Sequence, residues 1–351
     1  GHVAGAERQS GYLAQALAGD GLRVRHIVNP VPGREVRAEG PVEPVVLHID
    51  LEDRHLSRYR GIFSTLKAVD ARLYIQICAG HETGVVGAWA RTHGRRFVFQ
   101  STHDADFITD PATSRTTGSG LEYRRIMAQY RIGLRAAERV VVMTDVQRVL
   151  ARQTFGIEDA LVIPYFAEMP SRAPLGPRDA FLWIGGLVEV KDPLSYLELA
   201  RRVPEARFRM VGTDRRTGRE VAARLRAEVQ DVPNVELLPA MSSEEILTLY
   251  ERAVAVVSTS FLEGFPNVFL EGWARGAPAL SLRVDPDGVF ERHGLGTACN
   301  GSLEALAAAA RQMWSERDTV DPELYRGYVR RFHNPAVVGA RWVALVRELL
   351  D

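Results

Sequence analysis

Two glutamates carry the most specific chemistry in this sequence. They bound Glu263-Gly264-Phe265-Pro266-Asn267-Val268-Phe269-Leu270-Glu271, which follows an apolar run at 254–258 that reads as a buried strand. Thr259, Ser260, Phe261 and Leu262 connect the two. Pro266 suits the first helical position, and Gly276 with Pro278 closes the helix. Glu263 and the unpaired amides of the first turn then share one mouth, and a helix N-terminus attracts anions. Glu271 falls about 7.5 Å further along the axis, at 1.5 Å per residue. Two acids that far apart suit different parts of an extended ligand. The plainer alternative is a capping Glu263 and a solvated Glu271. The Gly-Phe-Pro insert behind a buried strand weighs against it.

A second candidate is Phe181-Leu182-Trp183-Ile184-Gly185-Gly186-Leu187-Val188-Glu189-Val190-Lys191-Asp192-Pro193. A strand runs into Gly185-Gly186, and Lys191 follows five residues after the second glycine. Glycines let a ligand approach the backbone, and an ammonium neutralises a diphosphate. The alternative is a turn with a surface lysine. Lysine is rare here: of 44 basic residues only Lys67 and Lys191 are lysines, which fits a GC-rich coding bias and favours a function for Lys191.

The third is Phe97-Val98-Phe99-Gln100-Ser101-Thr102-His103-Asp104, a strand ending in polar residues. Ligands of open α/β sheets bind beyond the carboxyl ends of strands. His103 there can orient a hydroxyl or move a proton, although a lone histidine is as often structural. Asp104-Ala105-Asp106 and Asp285-Pro286-Asp287 have a spacing that can hold a divalent metal. Such triplets arise by chance, and the phosphate sites above need no metal. Zinc spacings, Gly-x-Ser-x-Gly and a Walker lysine loop are missing from the sequence.

These groups need scaffolds. Short β-branched runs at 22–28, 45–49, 72–77, 96–101, 139–144 and 160–164 alternate with amphipathic stretches in the first half. The second half repeats the pattern at 180–185, 207–212, 235–238, 253–258, 278–282 and 296–299. Alternation of this kind implies doubly wound parallel sheets in an α/β protein. At 351 residues the chain is too long for one core. Residues 169–177, rich in proline and small side chains, are the best linker. A last helix starts after Asn334-Pro335, with Val337, Val338, Trp342, Leu345, Val346 and Leu349 at helical spacing. Residues 1–8 read as a strand-to-helix loop leading into a helix at 9–18, with no strand before it, so the first strand of the first sheet is expected to be missing.

The bulk numbers narrow the function. Basic and acidic residues balance at 44 each, so no overall field draws nucleic acid or an anionic membrane. Two cysteines, Cys78 and Cys299, make no disulfide framework and suit a reducing compartment. No apolar run reaches the roughly 18 residues of a membrane span, and no signal peptide is visible. A cytoplasmic protein is expected, and peripheral contact with the inner face of a membrane is compatible with these absences.

Together the motifs resemble the retaining glycosyltransferases of the GT-B fold, glycosyltransferase family 4, also called the group 1 transferases. The resemblance covers nearly the whole chain. Gly5-Ala6-Glu7 is similar to the family's glycine-rich first loop, Ser101-Thr102-His103-Asp104 to its N-domain histidine segment, and Ile163-Pro164 to the end of that domain. Gly185 to Lys191 resembles the phosphate loop, and Met210-Val211-Gly212 the next strand. Ser260, Glu263, Gly264, Pro266 and Glu271 fit the Glu-x7-Glu signature, the specific part of the match.

The resemblance implies two Rossmann-like domains facing across a cleft. The acceptor-side domain would be 1–168, with 335–351 crossing back onto it, and the donor domain 169–334. The donor would be a nucleotide diphosphate sugar carrying a hexose-type sugar. Glu263 would contact that sugar, and Gly264, Phe265, Pro266, Asn267 and Val268 would line sugar and phosphate, largely through amides. Glu271 would hold the ribose. Lys191 would stabilise the leaving diphosphate, with Gly185, Gly186, Gly212 and Ser260 around it, and His103 would face the sugar. Catalysis would retain anomeric configuration and use neither metal nor other cofactor. Donor base recognition would fall near Leu238-Pro239-Ala240. The acceptor, a glycan, lipid or small molecule, would lie on Gly80-His81-Glu82-Thr83 and on 104–120.

Two positions depart from the pattern. Gly186 stands where the family carries an arginine that shares the diphosphate, with Arg215, Arg216 or Arg8 available to replace it. Tyr165 stands where an asparagine follows the domain-end proline. The Gly186 departure supports a second reading, a non-catalytic nucleotide-sugar-binding relative that regulates or scaffolds a partner. A third reading, a nucleotide-sugar epimerase or dehydrogenase, would want Gly-x-Gly-x-x-Gly after a strand, which this sequence does not show.

Overall fold

The computed structural model describes residues 5–29, 40–47, 56–80, 82–109, 120–170, 176–239 and 241–351. His81, Ala240, the segment 110–119 and the linker residues 171–175 lie outside these. So do residues 48–49 of the strand expected at 45–49. The chain divides into two compact units, residues 5–166 with 335–351, and residues 167–334.

In the first unit the elements run α1 (Gly5–Gly19), β1 (Arg25–Val28), β2 (Glu43–Val46), α2 (Leu56–Val69), β3 (Leu73–Ile77), α3 (Glu82–Thr92), β4 (Arg96–Gln100), α4 (Gly120–Ala136), β5 (Arg139–Val142), α5 (Asp145–Phe155) and β6 (Leu161–Val162). Strands β3-β4-β5-β6 form a parallel sheet in that order, and β1 pairs in parallel with β2. Phe97, Val98 and Phe99 of β4 are fully buried, because helices cover both faces of a parallel sheet. Burying each such side chain contributes about 1.5–3 kcal/mol. Helix α1 starts at Gly5, so Gly5, Ala6 and Glu7 form its first turn and not the loop expected from the sequence. Its buried Gln9 clasps the backbone of Phe166: Nε2 donates to the Phe166 carbonyl at 2.9 Å, and Phe166 N–H donates to Oε1 at 2.8 Å.

The second unit runs β7 (Ala180–Gly186), α6 (Pro193–Arg202), β8 (Phe208–Thr213), α7 (Arg219–Glu228), β9 (Val235–Leu238), α8 (Ser243–Glu251), β10 (Ala253–Ser258), α9 (Asn267–Ala274), β11 (Ala279–Ser281), α10 (Val289–His293), β12 (Gly296–Ala298), α11 (Leu303–Glu316) and α12 (Pro322–Phe332). Its six strands are all parallel, in the order β12-β11-β10-β7-β8-β9. This is the doubly wound Rossmann order. The winding reverses between β7 and β10, and such a switch point opens a crevice at the carboxyl ends of the strands. Every residue of β10 is buried.

Helix α13 (Pro335–Leu350) belongs to the first unit. Val338, Trp342, Leu345, Val346 and Leu349 pack with Leu13 and Leu17 of α1 and with Val98 and Val141 of the sheet. Val337, expected in that apolar stripe, is 42% exposed instead. No helix among the described residues is long and apolar enough to cross a membrane.

Helices α3 and α4 meet backbone to backbone. A Cβ on Gly133 would stand 2.3 Å from the Thr83 carbonyl oxygen, and one on Gly84 2.5 Å from that of Gln129. Gly133→Ala must push the helices apart and should destabilise the protein by about 2 kcal/mol. Gly11→Ala in α1 meets nothing within 4 Å. It should stabilise by about 0.4–1 kcal/mol, since alanine narrows the unfolded ensemble. Urea unfolding followed by circular dichroism should show midpoints moving in opposite directions; equal shifts would refute the packing argument.

Candidate active site

Strand β7 ends at Gly185-Gly186 and β10 at Ser258, so their loops leave the sheet side by side at the switch point. A set of side-chain and backbone contacts sews these loops together. The buried Trp183 Nε1 donates to Thr259 Oγ1 at 3.1 Å. Thr259 Oγ1 donates to the Lys191 carbonyl at 2.9 Å. Phe261 N–H donates to the Val190 carbonyl at 2.9 Å. Arg283, just beyond β11, donates to the Thr259 carbonyl and to Asp192 Oδ2, and its guanidinium lies 3.9 Å from the centre of the Phe261 ring.

These contacts bring Lys191 and Glu263 into direct contact, Nζ against Oε1. Ser260 Oγ donates to the same carboxylate oxygen at 2.7 Å. Glu263 keeps 9% of its surface exposed, while a third of the Lys191 side chain faces solvent. A carboxylate that buried must be met by donors. The pair also gives Lys191 a free side from which a second anion can reach it.

Pro266 is the N-cap of α9 and Asn267 its first residue, one position later than the sequence suggested. Proline supplies no capping side chain, and Pro266 makes no side-chain cap bond. Gly264 and Phe265 are buried beside this helix start. The Phe265 ring packs edge-on against Trp273 and tilts against His333, so its side chain belongs to the core. Asn267, Val268 and Glu271 are half-buried. Arg275, one turn beyond Glu271, donates to the Glu271 carbonyl at 3.3 Å. Burial lowers the Arg275 pKa, and the carboxylates of Glu271, Glu251 and Glu168 oppose that shift.

The glycines divide by role. A Cβ on Gly185 would press on the Trp183 ring at 3.0 Å, and one on Gly212 on Leu187 at 2.7 Å. The space over Gly212 is therefore filled by Leu187, which accounts for that glycine through packing. A Cβ on Gly186 would stand 3.2 Å from Arg215 Cγ.

His103 lies in the other unit, beyond the carboxyl end of β4. It caps a short 3-10 turn, with Nδ1 accepting from Ala105 N–H at 3.1 Å. In the neutral ring the proton then sits on Nε2. Asp106 Oδ2 accepts from the N–H groups of Thr102 and His103 and from Ser101 Oγ. Asp104 accepts from Gln147 Nε2 at 3.0 Å. Gly5, Ala6 and Glu7 also belong to this unit. Sequence reasoning missed Thr259, Arg275 and Arg283. Thr259 carried a faint signal, as a polar residue ending a buried strand. Nothing separates Arg275 or Arg283 from the other arginines.

Comparisons with known proteins agree with this geometry. Residues 178–316 match the family model described as glycosyl transferases group 1, and residues 4–165 match the glycosyl transferase 4-like domain. A D-inositol 3-phosphate glycosyltransferase from Frankia alni is 30% identical over 198 residues, 51% of this chain and 47% of that protein. The chain thus spans about half the length of that relative. The sucrose-phosphate synthase of Thermosynechococcus elongatus has the same fold, with TM-score 0.83, 16% identity, and coverage of 99% of this chain and 94% of that one. A pneumococcal O-GlcNAc transferase, solved with UDP and GlcNAc, gives TM-score 0.64 at 15% identity over 85% of this chain and 61% of its own. The fold is GT-B, with two Rossmann-like units.

Thr259→Val keeps the volume but strips both the Trp183 indole and the Lys191 carbonyl of a partner. Each loss should cost about 1–3 kcal/mol. Denaturant unfolding monitored by tryptophan fluorescence should show the lowered midpoint; a wild-type midpoint would mean that the stitch carries no stability.

Proposed function

The chain belongs to the group 1 glycosyl transferases, and on that premise we propose that it moves a hexose-type sugar from a nucleotide diphosphate donor to an acceptor hydroxyl, with retention and without a metal. The observation that carries this reading is the Lys191–Glu263 pair at the switch point, beside the uncapped start of α9. Cationic and amide donors converge there with one buried carboxylate. That is what a diphosphate joined to a hydroxyl-rich sugar requires.

The proposed roles follow from position. Lys191 takes the charge that develops on the leaving diphosphate, an electrostatic contribution of the kind that dominates many transfers. Glu263 accepts from hydroxyls of the transferred sugar, and Ser260 and Lys191 hold it in place. The amides around Gly264 and at the start of α9 receive sugar or phosphate oxygens. Glu271, beside Arg275, takes the ribose hydroxyls. The bond from the anomeric carbon to the diphosphate oxygen breaks, the acceptor oxygen bonds on the same face, and its proton passes to the departing phosphate. Lys191 does the work that a divalent cation does in other transferases. The relative that acts on D-inositol 3-phosphate makes a phosphorylated cyclitol the first acceptor to try, and the structure solved with UDP puts UDP-sugars first among donors. Nucleotide-sugar binding without transfer is the second reading, favoured by the absence of a side chain at Gly186.

A panel of nucleotide sugars, with product followed by mass spectrometry and anomeric NMR, tests the proposal. Glu263→Ala should lower turnover by about 100-fold or more while still binding the nucleoside diphosphate. Glu271→Ala should weaken nucleotide binding about tenfold, or about 1.4 kcal/mol. Chelator should leave the rate unchanged. Wild-type protein that binds a donor yet never turns it over, with acceptor extracts supplied, would establish the non-catalytic reading.

A further inference from the structure

Resting on the donor reading above, we propose that Arg215, from the loop after β8, is a second cationic ligand of the donor diphosphate and reaches it through the space left open by Gly186. The position is set by packing. Leu187 N–H bonds the Thr213 carbonyl at 2.9 Å, and the Leu187 side chain fills the gap over Gly212. The chain then turns at Gly218, whose N–H donates to the Arg215 carbonyl at 3.0 Å. A Cβ on Gly218 would fall 1.8 Å from the Leu187 carbonyl oxygen, so this turn is locked against the loop that carries Lys191. The Arg215 backbone is therefore held by the same loop that ends at the switch point.

The side chain leans back over Gly186. Its Cγ lies 3.2 Å and its Nε 3.5 Å from where a Gly186 Cβ would stand. Among the described residues the guanidinium has no ion-pair or hydrogen-bond partner, and the residue is exposed. The adjacent acid, Asp214, is already bound by Arg226 at 2.7 and 2.9 Å. Local carboxylates thus do not quench the charge of Arg215. Lys191 beyond β7 is partly neutralised by Glu263, so an incoming diphosphate, with more than one negative charge, would be under-compensated by Lys191 alone. A planar guanidinium can hold two phosphate oxygens at once.

Arg215 and a side chain at position 186 would pass through the same volume. An arginine moved from 215 to 186 should therefore restore what Arg215→Ala loses. The test is titration calorimetry of the full chain with UDP, GDP and ADP, and with the parent nucleosides by competition. Arg215→Ala should weaken the preferred diphosphate about tenfold and leave its nucleoside unchanged. Arg215→Lys should recover only part of this. Gly186→Ala should also weaken the diphosphate, by displacing Arg215, but should add nothing in the Arg215→Ala background. The double variant Gly186→Arg with Arg215→Ala should return to within a few-fold of wild type. Arg215→Ala that binds the diphosphate like wild type overturns this assignment alone. So does an equal loss of nucleoside affinity, which would mark Arg215 as structural. Wild-type protein that binds none of the three diphosphates overturns the donor reading, and this assignment with it.

Discussion

The Glu263 carboxylate is buried against Lys191, and the carboxyl end of the second unit's sheet is organised around that contact. Its partners come from two directions. Ser260 is three residues away on the same loop, and Lys191 comes from the loop after β7. The second is available only because the doubly wound order makes β7 and β10 neighbours. Thr259 supports the arrangement, joining the core indole of Trp183 to the backbone of Lys191. A buried ion pair is weak support for stability, since desolvation offsets its attraction. What it does provide is a lysine and a glutamate held in a fixed relation before any ligand arrives, and preorganised charge is what electrostatic catalysis needs.

Close packing supplies the rest of the rigidity. Gly272 brings α9 so near β10 that a Cβ would stand 2.5 Å from Val256. This seats the start of α9 over the sheet's carboxyl edge, with Phe265 anchored among Trp273 and His333. Leu187 plays the same part between β7 and β8, with Gly212 and Gly218 yielding space on either side. Three loops, after β7, β8 and β10, are thereby fixed to one another by bonds within the unit. The glycines of the site act through what they admit: a neighbour's side chain at Gly212, a turn at Gly218, and the Arg215 stem at Gly186.

Much of this was legible in the chain. Parallel strands buried on both faces must be continuous apolar runs, so β10 at 253–258 reads to the residue from the sequence. Short strands such as β6 and β11 came out shorter than their apolar runs, because hydrogen bonding and not hydropathy ends a strand. The start of α1 was misplaced because Gly5-Ala6-Glu7 reads as loop by composition, whereas helix propensity is a weak preference that packing overrides. Glu263, Lys191 and Ser260 stood out by type and spacing. Arg215 was only one of three arginines that could be named, and Arg275 and Arg283 could not be told from the rest.

The sequence by itself determined the alternation of strand and helix, the Glu-x7-Glu segment and its lysine-bearing partner loop. These are local properties, set by side-chain period and residue type. Only the tertiary structure decided that Lys191 would touch Glu263, 72 residues away. It alone gave the space over Gly186 to Arg215, and placed the apolar stripe of α13 against α1 and the first sheet. Strand order and close packing choose such partners, and both are long-range. An amphipathic stripe or an arginine in a loop states what must be buried or balanced, and the fold selects the group that meets it.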